Sequence, residues 1–324
     1  MGEDLQVRPC NTSTLSKLPG SDLEVLPHLP MPLRYAYNTN GCAHHRLPDA
    51  LRLIKAAGYD GVALTLDWHH LDVTAPDWEE RTYEVKTLLD ELGLASVIET
   101  GARYLLDPTQ KHEPTLVSAT AAGRARRVRF LKRAIDVGRI LGSETVSFWA
   151  GIPHHTAPDL RLGPPPQTTW QNYLTEGLNQ VVAYAREVGQ DISFEPEPGM
   201  VIETNADFDA LLATLDDPAG LNLALDLGHV WVTGEGKPED FVYQYAAKIG
   251  TVSIEGMNRG VHLHLPLDQG DMPVPPLLAA LEEIDFERLV CVELSRESPR
   301  AHLAIPESIQ YLKLIEKQLY EVVG

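Results

Sequence analysis

Three acids stand at the ends of short apolar runs that are far apart in the chain: Glu195 in ISFEPEP, Asp226 in LALDLGH and Glu293 in VCVELS. His229 follows Asp226 by three positions, and His262 and His264 alternate in VHLHLP. Acids crowded into one place repel one another and resist ionisation, so a fold that gathers them favours a divalent cation among them. Carboxylate oxygens with an imidazole suit Mn2+, Mg2+, Co2+ or Zn2+, and no thiolate pair is present to build structural zinc. Taken singly, each acid has a plainer explanation: Glu195 as a salt-bridged loop residue, Asp226 as the N-cap of the next turn. Their joint placement at strand ends favours chemistry. The alternation of His262 and His264 is read as allowing only one of them to face the site.

A repeating pattern must position these residues. An amphipathic run ends near a glycine, two or three residues follow, and a short apolar or β-branched strand comes next, as in AAGYDGVALTLD, ELGLASVIETG and ILGSETVSFWAG. Gly58, Gly93, Gly142 and Gly189 stand where a helix end needs the left-handed conformation. Strands are predicted at about 33–37, 61–66, 95–99, 144–149, 191–195, 221–225, 249–254 and 289–293. Their apolar character fits a parallel sheet covered on both faces. Among the helices, Pro48 lies early in one, Asn205 is expected to N-cap ADFDALLATL, and Pro306 with Glu307 to open the last. Eight such units predict a (β/α)8 TIM barrel over residues 32–324, preceded by an irregular N-terminal extension at 1–31. A doubly wound sheet is disfavoured, because YNTNGCAHH after the first strand lacks the glycines of a phosphate-cradling turn.

In a barrel the chemistry sits at the C-terminal ends of the strands. The residues there are Asn38 and Asn40, Asp67 to His70, Glu99, Trp149, Glu195 with Glu197, Asp226 with His229, Ser253 with Glu255, and Glu293. Trp68 and Trp149 offer flat walls for a sugar or cyclitol ring. With His69, Glu99 and His262 they form the expected substrate-binding set. The long connection Gly151 to Gln167, stiffened by Pro164 to Pro166, reads as a partial lid carrying His154 or His155. Arg103, Arg259 and Lys237 in mouth loops are candidates to meet a phosphate.

The order of E-P after the fifth strand, D-x-x-H after the sixth, a His-bearing loop leading to Gly270-Asp271, and a Glu ending the eighth strand resembles the xylose isomerase-like TIM barrel superfamily. The resemblance covers about 33 to 323. It implies a site for one divalent metal (Mn, Zn, Co or Mg), with Glu195, Asp226 and Glu293 as ligands and His229 as a ligand or a hydrogen-bond partner of a substrate hydroxyl. The family's strand-seven His, in a V-H-I context, is here Ser253 in Val252-Ser253-Ile254. His264 or His262 from the following loop is taken as the substitute, ahead of Glu255, giving the set Glu195, Asp226, His264 and Glu293. The resemblance further implies isomerisation or epimerisation of a sugar, sugar phosphate or inosose-like polyol through an enediolate, with Glu195 and Glu293 as the two bases and His229 assisting. A dehydratase using the same enolate is the nearest alternative. A catalytically silent barrel binding a metabolite or partner is the other, favoured by the missing strand-seven His.

Charge narrows the partners. With 27 Lys and Arg against 46 Asp and Glu the formal net charge is −19, which disfavours nucleic acid and anionic membranes. The one basic cluster, Arg124 to Arg133, is read as the wet face of a helix. Strand three ends IETGAR without the His that a three-metal nuclease would need. No apolar stretch approaches the roughly 18 residues of a membrane span. The N-terminus opens acidic without an apolar signal core, and Cys10, Cys42 and Cys291 are odd in number and scattered, so a reducing cytoplasmic setting is expected. The expected partner is a small polyhydroxylated substrate, with a homo-oligomer left open.

Overall fold

The computed structural model describes residues 32–153 and 166–323. Ten strands occur among them: β1 (Arg34–Asn38), β2 (Gly61–Thr65), β3 (Ala95–Glu99), β4 (Val146–Phe148), β5 (Ile192–Phe194), β6 (Leu221–Asp226), β7 (Ile249–Ile254), β8 (Gly256–Asn258), β9 (Val261–Leu265) and β10 (Leu289–Val292). Eight close into a barrel in the order β1-β10-β7-β6-β5-β4-β3-β2, every pairing parallel, while β8 and β9 form a separate antiparallel hairpin. The helices are α1 (Leu47–Ala57), α2 (Trp78–Leu92), α3 (Ala121–Leu141), α4 (Gln167–Val188), α5 (Asn205–Leu212), α6 (Leu227–Thr233), α7 (Pro238–Gln244), α8 (Val274–Glu283) and α9 (Ala301–Val323). The chain is thus a (β/α)8 barrel. The expected extension at 1–31 and the lid histidines His154 and His155 lie outside the described residues.

The punctuation follows the sequence closely. Gly58, Gly93, Gly142 and Gly189 adopt positive φ at the ends of α1, α2, α3 and α4, where any residue with a Cβ would be strained. Outward-facing strand residues such as Tyr35, Tyr37, Val62 and Leu64 pack beneath the helices in one large apolar core. Residues of opposite parity, Ala36, Ala63, Val97, Leu289 and Cys291, form a second small cluster inside the barrel.

Three expectations are corrected. The cap of α5 is Thr204 rather than Asn205: Thr204 Oγ1 accepts from the Asp207 N–H and Asp207 answers at the Thr204 N–H, so the capping box wins one residue earlier. Helix α9 starts at Ala301, with Pro306 inside it, because Ala301, Ala304 and Ile305 are buried and their packing outweighs the proline's lost hydrogen bond. The basic stretch of α3 is not uniformly wet. Arg127 is fully buried, its guanidinium 4.4 Å from the Trp149 ring centroid and its Nη2 donating to the Thr100 carbonyl at 3.2 Å. Among the described residues no helix is long and apolar enough to cross a membrane.

The hairpin has a strict steric requirement at its start. A Cβ on Gly256 would come within 2.1 Å of the Pro266 carbonyl oxygen and 2.4 Å of that of Gln269, both backbone atoms that cannot swing aside. Gly256→Ala is therefore expected to cost about 1–3 kcal/mol and to unseat the hairpin. Chemical denaturation together with NMR of the His262 and His264 side chains checks this, and unchanged stability with unmoved imidazole resonances would contradict it.

Candidate active site

At the end of β6, Asp226 serves two purposes. Its Oδ1 accepts the His229 N–H at 2.8 Å and caps α6, as its plainer reading held. Its Oδ2 is buried with no hydrogen-bond partner and lies 3.5 Å from Nε2 of His229, itself buried and unpartnered. His229 Nδ1 faces the Pro196 carbonyl oxygen at 3.1 Å, which requires that nitrogen to carry the proton and leaves Nε2 with a bare lone pair. Burial pushes the His229 pKa down to about 4, so the ring is neutral near pH 7. An anionic oxygen and a lone-pair nitrogen thus face each other with no proton between them. Buried acceptors left in this way are costly unless something electropositive joins them.

Other acceptors surround this pair. Glu195, directly after β5, brings Oε1 to 3.7 Å from His229 Nδ1, and Glu197 brings Oε2 to the same distance. Glu255, directly after β7, has no exposed surface; when ionised its oxygens find no donor, and the carboxyl within its hydrogen-bond reach is that of Asp226. Gly228 leaves the room for it, since a Cβ there would fall 1.8 Å from Glu255 Oε1. Glu293, after β10, is held by Asn40, whose Nδ2 donates to Oε1 at 2.9 Å. Burial, reinforced by neighbouring acids, raises the pKa of Glu195, Glu197 and Glu255 well above the usual carboxylate range. That of Glu293 is raised in the same way, with His264 opposing. At Asp226 the balance reverses. Burial raises its pKa, but the imidazoles of His229, His264 and His262 and the His229 N–H outweigh it, so this acid is held below its ordinary value.

His262 and His264 both reach the site, contrary to expectation. Positions two apart on a strand share a face, and in β9 that face looks into the mouth. His264 Nδ1 lies 3.1 Å from the Glu293 carbonyl oxygen, tying the hairpin to the end of β10. The Nε2 atoms of His264 and His262 lie 3.3 Å apart, so at most one of them carries a proton. Donor atoms of Glu195, Asp226 and His229 lie within 4.8 Å of one another, and so do those of His229, His262 and His264. Mixed carboxylate and imidazole donors at this spacing fit a divalent cation.

These groups border one cavity of about 490 Å³, within the ordinary range for small-molecule sites. Of the residues expected from the sequence, Glu195, His229, His262, His264, Glu293, Glu99 and Trp149 line it, with Asp226 buried beside His229. Trp68 and His69 do not. The Asp67 carboxylate accepts the Trp68 N–H at 2.8 Å and the chain turns at once, leaving Trp68 68% exposed. Of the three loop cations only Arg103 borders the cavity; Arg259 stacks on Trp231 at 3.9 Å instead. Lys111, His112 and Arg296 also line the cavity and were not singled out by sequence.

The family model of xylose isomerase-like TIM barrels matches residues 51–315. The chain belongs to that family. Among solved structures, the D-allulose 3-epimerase of Methylomonas sp. is 18% identical, with a TM-score of 0.66 over 88% of this chain and 98% of that one. The 3-keto-D-glucoside 4-epimerase of E. coli is 15% identical, with a TM-score of 0.69 over 87% and 100%. A probable 3-DHS dehydratase of Bacillus anthracis is 14% identical, with a TM-score of 0.65 over 86% and 99%. At these identities the likeness is one of fold. In sequence, an inosose dehydratase of Lacticaseibacillus casei is 25% identical over 150 residues, 41% of this chain and 49% of that protein. The chain thus matches about half the length of that relative. Against the family pattern, Ser253 pairs in register with Asp226, so a short hydroxyl stands at the level of the first carboxylate and the imidazoles come from the hairpin instead.

Proposed function

We propose that this family member is a divalent-metal-dependent isomerase or epimerase of a small polyhydroxylated carbonyl compound: a sugar, a sugar acid or phosphate, or an inosose-like cyclitol. The observation that carries the reading is that Glu195, His229 and Glu293 line one cavity, with the unpartnered Asp226 Oδ2 buried 3.5 Å from the unpartnered His229 Nε2. Two strands, β6 and β7, separate β5 from β10 in the barrel, so the two glutamates approach a bound ring from different sides. One removes the proton from the carbon next to the carbonyl, and the other returns a proton to the opposite face. His229, neutral and fixed by the Pro196 carbonyl, hydrogen-bonds a hydroxyl or acts as a donor atom. Asn40 keeps the Glu293 carboxylate oriented, and Trp149 supplies an apolar wall. A divalent ion (Mn2+, Zn2+, Co2+ or Mg2+) held by Glu195, Asp226, His264 and Glu293, with His229, His262 and Glu255 close by, would polarise the carbonyl and offset charge developing on its oxygen. A reducing cytoplasmic setting belongs to the same reading.

A second reading, β-elimination of water from a keto-cyclitol, draws on the inosose dehydratase match and on Glu197. Dehydration starts with the same proton removal and then needs an acid to protonate the departing hydroxyl. Glu197 borders the cavity, and burial with the neighbouring acids raises its pKa, which favours the protonated form that such an acid needs. Incubation with ketoses, aldoses, keto-acids, sugar phosphates and inososes in D2O, followed by NMR, tests both. Deuterium at the carbon beside the carbonyl supports enolisation, and loss of water with exchange selects the elimination. No exchange across the panel with metal bound would reject both in favour of a silent binding barrel.

Nuclease action is not expected. A duplex with an abasic site should stay intact with the protein and Zn2+ or Mn2+, because a net charge of −19 opposes the approach of a polyanionic duplex. Incision abolished by Glu293→Gln would overturn this.

A further inference from the structure

Three cations border the cavity, and among the described residues none is paired with an acid. Arg103 and Lys111 come from the loop between β3 and α3, Arg296 from the loop between β10 and α9. Among the described residues none of the three has a carboxylate oxygen within the 4.0 Å of an ion pair. Elsewhere Arg34, Arg288 and Arg300 do grip acids, at 2.7, 2.8 and 2.5 Å. Acids are not scarce near two of the three. Arg103 lies within electrostatic range of Glu99 and Glu293, Lys111 of Glu197 and His262, and Arg296 of His262. In a chain with 46 acids and 27 bases, three unneutralised cations facing one cavity are not a consequence of composition. The lining is therefore divided: carboxylates and imidazoles from the ends of β5, β6 and β10 and from β9, and free positive charge from two loops.

We infer that the substrate carries an anionic group, a carboxylate or a phosphate, held by Arg103, Lys111 and Arg296 while the polyol portion lies toward Glu195 and Glu293. The orientation of the second part rests on the enolisation reading; the anion preference does not. Guanidinium groups present forked donors that match either anion, and the cavity walls weaken the screening that would blunt such contacts at an open surface. The volume of about 490 Å³ accommodates a six-carbon compound with such a substituent. A neutral sugar would leave all three cations to water and gain nothing from them.

Calorimetric binding of three unreactive probes to the full chain, with and without Mn2+, tests this: sorbitol, gluconate and sorbitol 6-phosphate. At least one anionic probe is expected to bind about tenfold or more tightly than sorbitol. That advantage should shrink in Arg103→Gln and in Arg296→Gln and with added salt, and persist without metal. The stronger anion identifies the source, carboxylate or phosphate. Equal affinity for all three probes, an advantage that survives both substitutions, or one that vanishes without Mn2+ would overturn the inference. Anion preference without deuterium exchange on any compound keeps the inference and rejects the enolisation. Exchange on neutral ketoses without anion preference does the reverse.

Discussion

Glu293→Gln, compared at equal metal occupancy, is expected to lose more than about 10²-fold in turnover, the low end for removal of a general base. The substitution is close to isosteric, and its amide oxygen can still accept the Asn40 Nδ2–H that now reaches Oε1 at 2.9 Å. The backbone tie to the barrel, from the Glu293 N–H to the Ile254 carbonyl at 3.2 Å, is untouched. What disappears is the capacity to take up and return a proton. With the two glutamates acting on opposite faces, the variant should still exchange deuterium on the face served by Glu195 while failing to complete inversion. Glu195→Gln should show the complementary pattern. Glu293 is also a proposed metal ligand, so metal must be measured in the same samples, otherwise lost metal would pass for a lost base. A metal-replete Glu293→Gln enzyme with full turnover and full exchange would reject the two-base mechanism.

The scaffold was legible in the sequence because its signals are local. A left-handed glycine followed by a short apolar run is a helix end and a buried strand wherever it occurs, and Gly58, Gly93, Gly142 and Gly189 mark four such joints. The acids at the ends of β5, β6 and β10 were legible for the same reason, since strand ends fix which side of a barrel they serve. What could not be read depends on loops leaving the barrel. Trp149 directly follows β4 and is 4% exposed over the Arg127 guanidinium, whereas Trp68 stands three positions beyond β2 and one tight turn at Asp67 sends it to solvent. Arg127 itself sits in a run of basic residues whose neighbours are wet, and only its position on α3 puts it beneath the mouth. The hairpin carried the largest misreading. Strand alternation places His262 and His264 on one face together, so both border the cavity where only one was expected to face it. Glu255, two positions after Ser253 and directly after β7, carries the same strand-end signal as the other acids. Lys111 and Arg296 have no neighbouring pattern at all, because cations in irregular loops look alike whether they face a cavity or water.

Asp226→Asn is expected to remove most of the bound divalent metal, which in the native protein should amount to about one ion per chain, while leaving the fold in place. The two oxygens of Asp226 make this separation feasible. Oδ1 accepts the His229 N–H and caps α6, and an asparagine oxygen performs that task equally well. Oδ2, unpartnered beside His229 Nε2 at 3.5 Å, becomes an NH2 group that donates and cannot coordinate. The amide is even matched to the bare Nε2, so the metal-free variant should fold well. Elemental analysis of chelator-free protein gives the first readout. The second is thermal: an ion that binds only the folded state stabilises by about 2.7 kcal/mol at one hundred times its dissociation constant, so EDTA should lower the native melting temperature and leave that of the variant nearly unmoved. Asp226→Ala, which loses cap and ligand together, should melt below both metal-free proteins by the cost of a lost cap, about 1 kcal/mol. Metal content unchanged in Asp226→Asn would remove this residue from the ligand set. A native protein that melts identically with and without EDTA would mean that the acids around His229 are kept together by shared protons instead, as the raised pKa values of Glu195, Glu197 and Glu255 allow.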